Sequence, residues 1–149
     1  MDNKQERIMV ANVWKTPDGT ILESKHVHDF VQYHDKMAND DYFIDGGMEY
    51  VRYSVNDIPM ENRCLYSTDP IEQIRNWMWR GTFDENGDRI YIRLKNMTNQ
   101  HLENCIMYNF NQGMMADNYI TIQYIRELAY RFDHNIYVEE HAYTEEDAK

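Results

Sequence analysis

The stretch Ser24-Lys25-His26-Val27-His28-Asp29 concentrates side chains that bind metals and anions. On a strand, His26 and His28 would point to one face about 7 Å apart, a spacing that suits two ligands of a single ion. Asp29 or His34 could complete a mixed His/carboxylate set, and Asp45 could arrive from a neighbouring strand. A divalent metal held there would activate a water for hydrolysis. A non-metal polar pocket and an ordinary polar strand face fit the same His-x-His pattern. Asp45-Gly46-Gly47 offers a second feature: paired glycines allow positive φ and close approach, so their N–H groups could cradle a phosphate. A tight turn or bulge is the plainer reading. It is no P-loop, because no Gly-Lys followed by Ser or Thr occurs there. Lys25, Arg52, Arg80 and Arg93 are the cations suited to an anionic ligand, set against ordinary surface ion pairing. The candidate ligand-binding residues are therefore Lys25, His26, His28, Asp45, Gly46, Gly47 and Arg52, and His26 and His28 are the candidate metal ligands.

Other chemistry is sparse. Cys64 and Cys105 are isolated, too few for a disulfide framework or a structural zinc site, and Cys105 falls on an apolar helix face. No nucleophile elbow, zinc-protease motif, EF-hand loop or dinucleotide fingerprint occurs. His101 and Glu103 suit the exposed first turn of a helix. No catalytic residue and no cofactor emerge, and the balance leans away from an enzyme. Trp77 and Trp79 flank Met78 on the first expected helix, which puts one in the core and leaves the other to stack on a base or, the better fit, to lie at an interface of a homo-oligomer.

The elements that must position these residues follow from periodicity. Arg7–Trp14 reads as a strand, Lys15–Gly19 as a turn and Thr20–Ser24 as the return strand, with pairing continuing through His26 to Tyr33. Asn39-Asp40-Asp41 marks a turn, Tyr42–Ile44 a strand, and Met48–Val55 alternates with Glu49, Val51, Tyr53 and Val55 inward. Asp69-Pro70 starts a helix carrying Ile71, Ile74, Trp77 and Met78 that Gly81 can close. Asn86-Gly87 turns into a strand at Arg89–Leu94. Thr98 caps a second helix with Leu102, Cys105, Ile106 and Phe110 on one face, ending before Gly113. Asp117 caps a third with Ile120, Tyr124, Leu128 and Phe132 (or Ile125 with Leu128) inward, Asn135 stops it, and Ile136–Val138 adds a last strand. Strands first and helices later predict an α+β fold: an N-terminal antiparallel sheet of about four to six strands packed by about three helices from the C-terminal half. Residues 1–138 form one domain in this reading, and 139–149, with five acids and one Lys, form a flexible acidic tail.

The chain has 149 residues, 42% of them apolar, with 12 Tyr, enough to bury roughly 70% of its unfolded surface and to exclude intrinsic disorder. Its net charge of −11, with a pI near 4.8, disfavours direct nucleic-acid binding, which needs clustered cations. The acidity serves solubility, or imitates a nucleic-acid backbone and blocks a basic protein. No secretory signal and no membrane-spanning run is visible, which points to the cytoplasm and to no membrane partner.

ESKHVHDFV (23–31), FIDGGMEYVR (43–52), DPIEQIR (69–75) and IRLKNMTNQHLENCI (92–106) carry a resemblance across most of the chain. It resembles small accessory proteins of large tailed bacteriophages. That resemblance implies a host-takeover or counter-defence factor working in the host cell by binding and sequestration. The expected function is a non-enzymatic protein that sequesters a small signalling molecule, such as a nucleotide, or a host defence protein. The alternatives are a small metal-dependent hydrolase using the His-x-His site and an acidic nucleic-acid mimic.

Overall fold

The computed structural model describes residues 7–26, 28–45, 50–53 (main chain only) and 58–149. The fold is α+β, with strands concentrated in the N-terminal half and the long helices in the C-terminal half. The strands divide among small antiparallel sheets, and the chain forms two compact units, one of residues 11–65 and one of residues 1–10 with 66–149.

In the first unit, β1 (Met9–Lys15) pairs with β2 (Ile21–Ser24) around the turn at Thr16–Thr20. Asp18 fixes that turn: its Oδ1 accepts from Thr16 Oγ1 (2.5 Å) and the Thr20 N–H (2.9 Å), while Gly19 supplies φ +92°. Short β6 (Glu61–Asn62) adds to the other side of β1, and β7 (Leu65–Tyr66) also pairs with β1. A second sheet has the order β3-β4-β5, from β3 (Phe30–Asp35), β4 (Asp40–Asp45) and β5 (Tyr50–Tyr53). The β3–β4 turn comes at Lys36–Asn39, earlier than the expected Asn39-Asp40-Asp41, because Asn39 takes the left-handed conformation (φ 51°) and Asp40 already belongs to the strand. Asp35, fully buried, locks it by accepting from the Ala38 N–H (2.8 Å) and from the Asp18 N–H (2.8 Å). Strict alternation along β4 buries Asp40, Tyr42 and Ile44. The last two form the core with Leu22, Ala38 and Met60, against which Trp14, Val31 and Tyr33 pack. Val51 and Tyr53 stand opposite buried Ile44 and Tyr42 in register.

In the second unit, α1 (Ile71–Trp77) is short. Gly81 does not close it: the helix stops at Met78, and Trp79 and Gly81 lie in β8 (Trp79–Phe83), paired with β9 (Arg89–Arg93). The reason is the hairpin, whose turn is tied by Asp84 Oδ1 accepting from the N–H groups of Asn86 and Asp88 (2.9 Å each), with Gly87 at φ +82°. Gly81 faces Tyr91 across it, where a Cβ would meet Arg89 Nη1 at 2.8 Å and Tyr91 Cε1 at 3.1 Å. Thr98 caps α2 (Asn99–Asn111) through Oγ1, which accepts from the His101 N–H (3.0 Å), and Gly113 follows at φ +83°. The cap of α3 (Thr121–Asp133) is Asn118, not Asp117: Asn118 Oδ1 accepts from the Ile120 and Thr121 N–H groups (3.0 and 3.3 Å). Tyr124 is buried as expected, but Phe132 is 85% exposed. The inward stripe continues through Glu127 and Arg131, which pair at 2.8 Å, and Phe132, one position further, lies on the solvent side. Asn135 ends the helix at φ 55°. Ile136–Val138 forms no strand; Val138 is held by its N–H donating to Asn99 Oδ1 (3.0 Å) and its carbonyl accepting from the Asn99 N–H (3.0 Å). In the segment 139–149, Tyr143 is buried, its hydroxyl accepts from the Thr98 N–H (2.9 Å), and Glu145–Ala148 form a 3-10 turn. Among the described residues no helix is long and apolar enough to cross a membrane.

Candidate functional site

β2 ends at Ser24, so His26 and His28 sit in the turn leading to β3 and not on a strand face. The turn forms because Asp29 competes for the main chain. Asp29 Oδ2 accepts from the Lys25 N–H (2.9 Å), and the Asp29 N–H donates to the His26 carbonyl (3.0 Å). Ser24 Oγ donates to the same carbonyl (2.9 Å), and the His28 N–H donates to His26 Nδ1 (3.2 Å). Lys25 and His26 are half-buried and His28 is exposed. The two residues expected to complete a metal set are otherwise engaged: Asp29 closes the turn, and His34 pairs with Asp41 at 2.7 Å. Among the described residues no group of three or more His, Cys, Asp and Glu gathers as a metal would require.

Strand register brings the distant parts of the motif together. Phe30, which follows the turn directly, lies opposite Asp45, and Asp45 lies opposite Tyr50. The next row of the same face is Gln32, Phe43 and Arg52. The turn with Lys25, His26 and His28, the end of β4 at Asp45 and the start of β5 thus share one end of the sheet, with Arg52 two places along β5. Gly46 and Gly47 lie outside the described residues. Phe30 is 59% exposed, and its ring centroid is 5.7 Å from that of Phe43. That end brings together, by residue type, a Lys, two His and an exposed phenyl ring, groups that can hold an anion beside a flat ring.

Sequence reasoning missed Asn12. It is buried in β1, donates through Nδ2 to the Asp45 carbonyl (3.5 Å), and accepts on Oδ1 from Trp14 Nε1 (2.8 Å) and Cys64 Sγ (3.6 Å). An Asn between Ala11 and Val13, both buried, was the available signal.

The remaining candidates belong to the other unit. Arg93 stacks over Trp79 (4.1 Å) and Trp77 (5.4 Å) and donates to the Asn76 carbonyl (2.7 Å). Arg80 lies beside Tyr124, whose hydroxyl burial pushes up to about 12. Burial also raises the Cys105 thiol, which makes it a poor nucleophile. The chain matches no protein-family profile, no curated protein and no solved structure.

Proposed function

We propose that this chain is a non-enzymatic accessory protein of the kind carried by large tailed bacteriophages, binding and sequestering a small anionic signalling molecule in the host cell. The site is the sheet end that holds Lys25, His26, His28, Asp45 and Arg52, with Gly46 and Gly47, outside the described residues, as its proposed loop. The observation that carries this reading is the register Phe30–Asp45–Tyr50, which joins segments far apart in sequence at one end of one sheet. Lys25 and Arg52 supply the positive charge that a phosphate requires, and the imidazoles supply directional donors. Asp45 suits the hydroxyls of a sugar, and Phe30 offers a face on which a base stacks, worth about 1–3 kcal/mol. The ligand class is therefore a nucleotide. Native mass spectrometry of the full chain, incubated with a mixture of mono-, di- and cyclic nucleotides, should show one added nucleotide mass. In the Lys25→Ala/His28→Ala variant that adduct should weaken at least tenfold with the circular dichroism spectrum unchanged. Equal binding by the variant would remove the site, and no adduct on the unmodified protein would remove the ligand class.

A further inference from the structure

A cleft of about 610 Å³ lies wholly within the unit formed by residues 1–10 and 66–149. Arg126 and Asp117 line it together with Ser67, Thr68, Asn118 and Tyr119, and Ile8 and Ile122 provide the apolar wall. Arg126 is held rigidly by neutral acceptors. Its Nη1 donates to the carbonyl of Ser67 (3.3 Å) and to Gln123 Oε1 (2.8 Å), and its Nη2 donates to the carbonyl of Asp69 (2.8 Å). Those bonds use three of the five guanidinium N–H groups. One N–H on Nε and one on Nη2 remain for a carboxylate. Among the described residues no carboxylate pairs with Arg126, and Asp117 makes no ion pair or hydrogen bond. The Asn118 amide uses its oxygen for the helix cap, so its NH2 group has no partner among the described residues, nor has the Thr68 hydroxyl.

One cleft thus presents an uncompensated cation, an uncompensated anion, idle amide and hydroxyl groups, and an apolar wall. A simple anion would satisfy Arg126 and be repelled by Asp117; a simple cation would meet the reverse. A molecule carrying both charges satisfies each. The volume exceeds that of a single amino acid and matches a ligand of a few residues. We propose that this cleft binds a short zwitterionic peptide, its terminal carboxylate on Arg126, its ammonium toward Asp117 and an aliphatic side chain over Ile8 and Ile122.

The test uses the full chain and the tripeptide Ala-Leu-Ala, with calorimetry as the readout. The peptide with free termini should bind saturably at one site. Amidation of its carboxyl end and acetylation of its amino end should each weaken binding at least tenfold. Asp117→Asn, at an exposed position, should match the effect of acetylation, and Arg126→Gln should match that of amidation. Should Arg126→Gln fail to fold, the blocked peptides on unmodified protein still decide. No saturable binding, or equal affinity for free and blocked peptides, overturns the proposal. Sensitivity to amidation alone also overturns it, because it would describe an anion site without a role for Asp117.

Discussion

His101 shows how one side chain sets a pH dependence. Its Nδ1 lies 2.8 Å from the Tyr143 hydroxyl, which is already taken as acceptor by the Thr98 N–H at 2.9 Å. The hydroxyl proton can donate to a neutral imidazole, whereas a protonated ring would have to donate to the hydroxyl's second lone pair and turn that proton away. Burial, helped by the Arg80 charge and opposed by Glu140, holds His101 below its ordinary value of 6.5. In the unfolded chain the ring takes up a proton near that value; in the folded chain it resists. The stability His101 contributes is thus complete above pH 6.5 and is lost as pH falls from there through its lower folded pKa. His141 runs the other way, its pKa raised chiefly by the Glu139 carbonyl, so its contribution is present below 6.5 and fades as pH rises past its folded pKa. It is largely solvated, and the His101 slope should dominate. Melting temperatures between about pH 7 and pH 5 should fall more steeply for the unmodified protein than for His101→Gln. Parallel curves would mean that His101 is not the titrating group.

At the scale of elements, α3 is organised by charge. Glu127, fully buried, accepts from Arg75 Nε (2.8 Å) and Nη2 (3.1 Å) on one side and from Arg131 Nε (2.8 Å) on the other. Arg131 donates further to Asn99 Oδ1 (2.8 Å) and to the carbonyls of Leu94 (3.2 Å) and Lys95 (3.1 Å), so α3 is bolted to the start of α2 and the turn before it. Arg75 also lies over the Tyr130 ring at 4.4 Å. Glu127→Ala would leave two guanidinium groups with no carboxylate, costing about 3–5 kcal/mol, whereas Leu at all three positions could come close to neutral. Chemical denaturation decides: a loss below about 1 kcal/mol for Glu127→Ala would mean that carbonyls alone compensate the charges. This triad also explains what the sequence concealed. Hydrophobic spacing located α2 and α3, and turn residues located the β1–β2 hairpin and the turn and second strand of the β8–β9 hairpin, whose first strand reads as helix, because those signals act over a few positions. The buried face of α3 could not be read that way, since a Glu and an Arg that are buried only because they pair look like surface residues until Arg75 is seen beside them. The sheet end was legible as a cluster of residue types, but not its geometry: the Asp29 side chain turned a presumed strand into a loop, and the Asn12 contact spans the fold.

For the whole molecule, 26 acidic residues stand against 15 basic ones, so at least 11 carboxylates have no cation to pair with. The exposed pairs that do form, such as Arg63–Glu61 at 2.8 Å and Lys149–Glu146 at 2.9 Å, are the type worth roughly 0–1 kcal/mol. The Arg75–Glu127–Arg131 cluster is shielded from salt by its burial. Screening therefore removes more repulsion than attraction. At about 0.1 M salt the Debye length is near 10 Å, shorter than most separations across a domain, so the self-repulsion of a −11 charge should relax first. Raising sodium chloride from about 0.02 to 0.5 M should increase stability against urea by about 1 kcal/mol, roughly half a molar in midpoint. A decrease would show that the exposed ion pairs outweigh the net charge. The same salt series bears on the proposed nucleotide binding. A nucleotide approaching Lys25 and Arg52 must enter the field of an acidic protein, and local cations have to overcome a repulsive background. Screening weakens both, but the excess negative charge is the more distant source and is screened first, so nucleotide affinity should pass through a maximum at intermediate salt.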